Sequence, residues 1–514
     1  MFINYNISDF TFSYIIVSSI INVWKVEDIM VDRIKTEWLN QPLQNILAGI
    51  VVSLALIPEV IAFSFIAGVE PMVGLYASVV MAISISFLGG RPAMISAAAG
   101  AIALLVSPLV KEYGVDYLIF ATIVMGVIQV IFGLLKVGSL LKFIPNSVMI
   151  GFVNALGILI FMAQLEHIFN ISFATYIYVI VTLLIVYITP YFIKTIPAPL
   201  FAIVILTSVY IMFGADIKTV GDLGEIKRTL PEFIIPNVPY TLDTLLIVLP
   251  YSISMAIVGL VESLLTAKIV DDATDTVSNK NKESRGQGFS NIITGLFGGM
   301  GGCAMIGQSV VSVEYGGTTR LSTFTAGAFL MFMILVLGDI MVQIPMSVLA
   351  AIMVMVSLKT FDWGTFKYIK HGEKSDIFVM LVTVIAVVLT KNLAVGVILG
   401  VLLSALFFLK KISNVTVLKT DKETITYHIS GNIFYASIES MMDQINFNDI
   451  NRTIYLNFDD AKIYDDAAVQ AIEQIVDQLK THNEVYVTDL SKESYDKFMR
   501  QTTIDASHLV QKRS

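Results

Sequence analysis

The chain has little charge and almost no cysteine. Asp, Glu, Lys and Arg make up 14% of its 514 residues, where a soluble domain carries roughly 25%. That shortage excludes a protein that is soluble along its whole length. One cysteine, Cys303, excludes an intrachain disulfide and a cysteine-rich metal centre. The five histidines are scattered, with no HExxH-type spacing. There is no Walker A motif, and 286–288 (GQG) is not a phosphate loop. No nucleophile and base are set at a telling spacing, so the chain does not read as an enzyme. A net charge of −8 argues against a nucleic-acid partner.

What the chain has in excess is apolar residues, 56% of the total. From 43 to 409 they fall into about fourteen segments bounded by charge, glycine or proline. The expected spans are 44–66, 71–89, 95–110, 117–135, 143–164, 171–190, 197–213, 245–269, 287–300, 304–315, 322–338, 341–358, 376–390 and 393–410. The third and tenth are too short to cross a ~30 Å hydrocarbon core. Both are rich in small residues: GGRPAMISAAAG at 89–100 and GLFGGMGGCAMIGQSVVS at 295–312. Ala93-Met94-Ile95 in the first repeats as Ala304-Met305-Ile306 in the second. Paired short, glycine-interrupted segments in two halves point to a transporter binding site.

Basic residues favour every second loop. Arg91, Lys136, Lys142, Lys194, Lys268, Lys280, Lys282, Arg285, Arg320, Lys359, Lys367, Lys370, Lys374, Lys410 and Lys411 then share one side. The positive-inside rule makes it the cytoplasmic side and puts both termini there. The opposite loop at 214–244 is long and mixed in charge, and its Pro231, Pro236 and Pro239 suggest order. Seven spans followed by seven leave the halves inverted, an arrangement known in secondary transporters. The expected fold is a polytopic α-helical membrane protein with a seven-plus-seven inverted repeat. Residues 1–42 form an N-terminal cytoplasmic segment, 43–411 the transporter domain, and 510–514 a tail. The segment 10–23 is apolar but makes a poor secretory signal. Met30 opens a more ordinary beginning, which leaves 1–29 as either an over-long start or a genuine extension. Residues 415–509 turn polar and alternate strand-like and helical runs, as a small cytoplasmic α/β domain does.

Three sets of residues can carry the chemistry. The first is the starts of the two short segments, at 95–100 and 302–305. A helix start leaves N–H groups without partners and adds about half a positive charge, so two starts that meet can cradle an anion without arginine. The same small residues also suit close helix packing of the GxxxG kind. The second is the acids Glu59 and Glu262, which lie deep in apolar spans. Such groups cost ~2.5–3.5 kcal/mol to insert and are functional candidates by default. Withdrawal from water disfavours an ionised carboxyl, so either can carry a proton. An ionised Glu262 can instead ligate a cation, with Thr266 on the same helical face adding an oxygen. Both acids also read as hydrogen-bonded structural groups. The third set is Phe63, four residues after Glu59, which can wall a pocket or simply pack, and Gln308 and Ser309, which can contact substrate or a neighbouring helix.

Four stretches resemble the SulP (sulfate permease) family of anion transporters. They are ALIPEVIAFSFIAGVEPMVGLYAS (55–78), GGRPAMIS (89–96), GQGFSNIITGLFGGMGGCAMIGQSVVSVEYGGTTRLS (286–322) and the terminal domain, which is similar to STAS. The resemblance implies core and gate domains, a homodimer in the lipid of the cell membrane, and an anion held between the third and tenth spans. It places the anion contacts at Phe63, at Ala98, Ala99 and Gly100, and at Cys303, Ala304 and Met305. Sodium-coupled bicarbonate members have an aspartate and a threonine where Glu262 and Thr266 stand; the glutamate departs from that pair and is also found in this span of proton-coupled members, which leaves proton coupling open, and sodium at these two residues is the only cofactor implied. Ala99 replaces a threonine common in the family. Asp466 takes the place of the serine phosphorylated in some STAS domains, which implies that this switch is absent. The resemblance implies a secondary active transporter of sulfate, bicarbonate or a carboxylic anion working by alternating access. An uncoupled channel or exchanger with the same fold is the alternative, and a membrane-tethered signalling scaffold a remoter one.

Overall fold

A computed structural model describes residues 35–139, 144–169, 171–192, 197–222, 224–502 and 509–510. The nature of 1–29 and of the tail beyond 510 lies outside the described residues. The chain divides into two compact units, up to Gly400 and from Val401 onward.

In the first unit one half holds α1 (Pro42–Ala67), α2 (Pro71–Leu88), β1 (Ser96–Ala98), α3 (Gly100–Tyr113), α4 (Val115–Leu134), α5 (Asn146–Ile168), α6 (Phe173–Phe192) and α7 (Ala198–Phe213). The other holds α8 (Leu242–Thr274), α9 (Lys280–Leu296), β2 (Gly302–Ala304), α10 (Ile306–Glu314), α11 (Arg320–Met341), α12 (Met346–Thr360), α13 (Lys374–Thr390) and α14 (Leu393–Ile412), the last running on into the second unit. Among the described residues nine helical segments are long and apolar enough to cross a membrane. One of the nine is α12 taken together with the short helix Thr365–His371 that follows it; α3, α7, α9, α10 and α13 are shorter, at 9 to 17 residues.

Fourteen helices thus follow the expected spans, with informative shifts. α8 runs one turn past its apolar stretch because Asp271, in that turn, pairs with Arg91 at 3.2 Å and Lys280 at 2.5 Å. α9 starts early, at a polar turn capped by Asn279, and stops at Leu296, ahead of Gly298 with φ 74°. The third and tenth segments do not begin as helices at 95 and 302–304. Each opens as a three-residue strand, and β1 and β2 pair antiparallel, with Ser96 opposite Ala304, Ala97 opposite Cys303 and Ala98 opposite Gly302. Antiparallel strands leading directly into α3 and α10 send these helices in opposite directions from neighbouring starts, which is the inverted repeat in miniature.

Packing sorts the helices into two groups. α4 and α9 pack closely, as do α1 with α11, α2 with α9 and α11, and α8 with α4 and α10. α5 packs with α12 and α13, and α6 with α7 and α12. These are the core and gate bundles, and they meet chiefly where α1 touches α12 and α7 and where α3 touches α5. Arg91, Lys280 and Arg320 gather at one end of the core: Arg320 donates to Ser86 O and Gly89 O at 2.9 Å and pairs with Glu37 at 2.5 Å. The 224–241 segment crosses the other end, where Thr229 O accepts from Tyr76 Oη at 2.9 Å and Leu296 O accepts from the Ile234 N–H at 2.8 Å.

In the second unit a five-stranded sheet has the order β3 (Thr416–Asp421), β4 (Ile425–Ile433), β5 (Thr453–Ile463), β6 (Glu484–Thr488), β7 (Leu509–Val510). β3 and β4 are antiparallel and the remaining pairs parallel. α15 (Asp466–Lys480) and α16 (Lys492–Gln501) accompany it, and Tyr427, Leu456, Phe458, Ile472, Val485 and Phe498 fill its core. Asp466 is the first residue of α15, after the cap Asp465, whose carboxylate accepts from the Ala468 N–H at 2.9 Å.

Candidate functional site

The β1–β2 ribbon decides which backbone donors are free. Its outward N–H groups are taken by side chains: Ala98 N–H donates to Ser78 Oγ at 3.1 Å, Gly302 N–H to Asn291 Oδ1 at 2.8 Å, and Ala304 N–H to Ser263 Oγ at 3.0 Å. Met305 N–H donates to Ile95 O at 2.9 Å, and Ile95 N–H to Ser309 Oγ at 3.0 Å. For Ile95, Ala98, Gly302, Ala304 and Met305 the expectation of free N–H groups is therefore corrected. Pairing and capping take these donors, because a buried N–H without a partner costs about 1–3 kcal/mol.

The free donors lie one step later. In α3 the first N–H to bond back is Ala103, to Ala99 O at 2.9 Å; in α10 it is Ser309, to Met305 O at 3.1 Å. Gly100, Ala101 and Ile102, and Ile306, Gly307 and Gln308, thus form the two open helix starts. Ala99 and Met305 are the residues that cap them. Of the expected backbone contacts, Gly100 lies in an open first turn and Ala99 caps it. The Ala-Met-Ile repeat is likewise out of register: the structure matches Ala98, Ala99 and Gly100 to Ala304, Met305 and Ile306, a spacing of about 206 rather than 211 residues.

Two side chains from α1 close around these starts. Phe63, buried at 3% exposure, lays its ring on Gly100: a Cβ built there would lie 2.6 Å from Phe63 Cε1. At the other start a Cβ on Gly307 meets nothing within 4 Å, so the first turn of α10 borders open space. Glu59, one turn before Phe63, accepts from Gln308 Nε2 at 2.5 Å. The structure thus brings Glu59, Phe63, Gly100 and Gln308 together. Gly100→Ala is expected to push the Phe63 ring off the α3 start, at about 1–3 kcal/mol of strain. The check is the apparent affinity with which anions raise the melting temperature, expected to weaken roughly tenfold.

Glu262 stands behind β2 rather than at the helix starts. Its Oε2 accepts from the Cys303 thiol at 3.1 Å, with both residues buried. Thr266 does not join that carboxylate; its hydroxyl bonds Glu262 O at 2.7 Å and Ala304 O at 3.2 Å. Ser309 is occupied by Ile95, so it positions β1 rather than standing open to a ligand. Among the described residues no cluster of three His, Cys, Asp or Glu side chains could hold a metal.

Sequence reasoning missed Asn291, Gln129, Ser78 and Ser263, all fully buried. The cost of polar groups in membrane spans, which singled out Glu59 and Glu262, applies equally to Asn291 and Gln129. A second internal repeat was also legible. IPNSV at 144–148 and IPMSV at 344–348 start α5 and α12, corresponding helices of the two halves, and the Ser147 and Ser347 hydroxyls are both buried without a hydrogen-bond partner.

The sequence pattern described as "Sulfate permease family" matches residues 43–186 and 170–383. A Bacillus subtilis protein named "Putative sulfate transporter YbaR" is 51% identical over 449 residues, 87% of this chain and 94% of that protein. The bicarbonate transporter BicA of Picosynechococcus is 27% identical over 403 residues, 72% of this chain and 70% of its own. Among solved structures, the transmembrane domain of a cyanobacterial BicA matches with TM-score 0.62 and 25% identity, covering 70% of this chain and 97% of that one. The murine Solute Carrier 26 family member A9 anion transporter, in its inward-facing state, matches in fold with TM-score 0.79 at 17% identity, over 91% of this chain and 89% of that one.

Proposed function

Because the chain belongs to the sulfate permease family, we propose that it is a secondary active transporter of a small inorganic or carboxylic anion, with sulfate and bicarbonate the leading substrates. The observation that carries this reading is the bond between Glu59 and Gln308 at the open start of α10. An anion at the helix starts meets two positive dipole ends, the Gln308 amide and, one side chain away, the Glu59 carboxyl. Ionised, Glu59 repels the anion and holds the amide. Protonated, it loses the charge and releases a donor. Anion and proton therefore bind together and cross together. The core bundle carries both past the gate bundle in alternating access, with both termini on the cytoplasmic side and a homodimer as the working assembly.

Glu262 is the second coupling group, acting through the Cys303 thiol on β2; the single coupling proton needs both acids, so neither alone suffices. A thiol suits soft metals, whereas a hard cation such as sodium calls for oxygen ligands. Thr266 gives its hydroxyl to two carbonyls. This donor set favours a proton over sodium.

Reconstituted protein is expected to take up labelled sulfate, bicarbonate or a dicarboxylate faster when the outside is acidic. One pH unit is worth about 1.4 kcal/mol, or about tenfold accumulation for one proton per anion. A sodium gradient alone is expected to add nothing. Saturable uptake indifferent to both gradients points to an exchanger, and large currents without coupling to a channel.

A further inference from the structure

We propose that Asn291 is the positioning residue that aims the start of α10 at the anion. The inference rests on the anion-transport reading above, but its geometry stands alone. Asn291 sits in α9 and is fully buried. Its side-chain amide grips a single residue of β2 from both sides: Oδ1 accepts from Gly302 N–H at 2.8 Å, and Nδ2 donates to Gly302 O at 3.1 Å. These are the two bonds a neighbouring strand would make, so the side chain pairs with β2 on the edge away from β1.

The grip is braced. Asn291 Nδ2 also donates to Gln129 Oε1 at 2.9 Å, and Gln129 Nε2 donates to Ala256 O at 3.5 Å. A line of hydrogen bonds therefore runs from β2 through α9 and α4 to α8, the helix that carries Glu262. The rest of that β2 edge is filled from α8, by Ser263 on Ala304 N–H and Thr266 on Ala304 O. Only Asn291 holds both groups of one residue, and it holds the residue farthest upstream of α10. Released there, β2 can slide or tilt, and the Gly307 and Gln308 donors five and six residues later lose their direction. A misplacement of about 1 Å at such a site can cost 10²-fold in function.

The chain carries its own reporter. Cys303, its only cysteine, follows Gly302 directly and is fully buried. The test uses full-length protein in proteoliposomes and compares wild type with Asn291→Ala, Asn291→Ser and Asn45→Ala. Asn45 is an equally buried amide that clamps the Thr318 and Thr319 N–H groups at 2.8 and 2.9 Å, past the end of α10 remote from β2, and serves as a control for general loosening. N-ethylmaleimide labelling of Cys303 is expected to be at least about tenfold faster in Asn291→Ala, and the KM for labelled sulfate at least about tenfold higher, with turnover at saturation within about threefold. Asn291→Ser, which keeps an acceptor for Gly302 N–H, is expected to fall between and stands in if the alanine variant does not fold. Asn45→Ala is expected to lower the melting temperature without changing labelling or KM. Wild-type labelling rates in both Asn291 variants overturn the proposal, and so does equal acceleration in Asn45→Ala. If the wild type carries no sulfate, the transport reading fails for that anion, while accelerated labelling confined to Asn291 variants still supports the clamp.

Discussion

Glu262→Gln is expected to abolish uphill accumulation of the transported anion while leaving its downhill exchange within about threefold of wild type. The substitution preserves shape. A glutamine oxygen can still accept from the Cys303 thiol, so β2 keeps its support. What disappears is the ability to take up and lose a proton. With one proton per anion and one pH unit across the membrane, the wild type reaches an accumulation of about tenfold; the variant is expected to stop near equality. Its melting temperature should not fall, because a neutral amide is cheaper to bury than an ionisable acid. Accumulation assays at fixed membrane potential, paired with counterflow of preloaded anion, separate the two properties. Gradient-driven uptake at the wild-type level in Glu262→Gln would remove the coupling role from this residue and leave it to Glu59.

The second large effect concerns two adjacent glycines with opposite outcomes. A Cβ on Gly302 would stand 2.5 Å from Ala97 O and 3.0 Å from Ala97 C, both backbone atoms of the paired strand. Neither can move without separating β1 from β2. Gly302→Ala is therefore expected to cut anion uptake by about a hundredfold, since the two helix starts are held together by that pairing. One residue earlier, a Cβ on Gly301 meets Met255 Cε at 2.8 Å and Met125 Sδ at 3.0 Å. These are the ends of flexible side chains that repack readily, so Gly301→Ala is expected to retain uptake within about threefold. Initial rates per surface-expressed protein, with size-exclusion profiles to show folding, check both. Similar losses in the two variants would mean that the glycines matter for packing in general and that the ribbon has no special place.

These expectations lean on features that the sequence makes legible to different degrees. The helices are the easy part: long apolar runs broken by charge and proline leave few alternatives, and α1, α2, α7 and α14 lie within about three residues of the expected bounds. Helix ends outside the apolar runs were harder. α8 and α9 extend into polar chain because Asp271, Arg91, Lys280 and Asn279 pair and cap there, and hydropathy is blind to such contacts. The candidate site was half legible. Two glycine-broken segments marked its place, and mid-span acids marked Glu59 and Glu262. The strands in front of the helices were not visible, because three small residues show no period and their partner lies about two hundred residues away. Missing them placed the free N–H groups too early and set the Ala-Met-Ile repeat five residues out of register. The Glu59–Gln308 bond was beyond reach for the same reason, since nothing local ties α1 to α10.

The ribbon register has a consequence for how such a chain can have arisen. Exchange the halves, so that 96, 97 and 98 become 302, 303 and 304, and the pairing of Ser96 with Ala304, Ala97 with Cys303 and Ala98 with Gly302 maps onto itself. The contact is isologous: it is what two copies of a single half would form across a two-fold axis. An ancestral half-length protein could have closed the same site by dimerising in opposite orientations, before duplication and fusion joined the copies. The axis passes between Ala97 and Cys303. A single half would place one residue against its own copy there; in this chain the two sides differ, one being the thiol that meets Glu262 and the other the small Ala97.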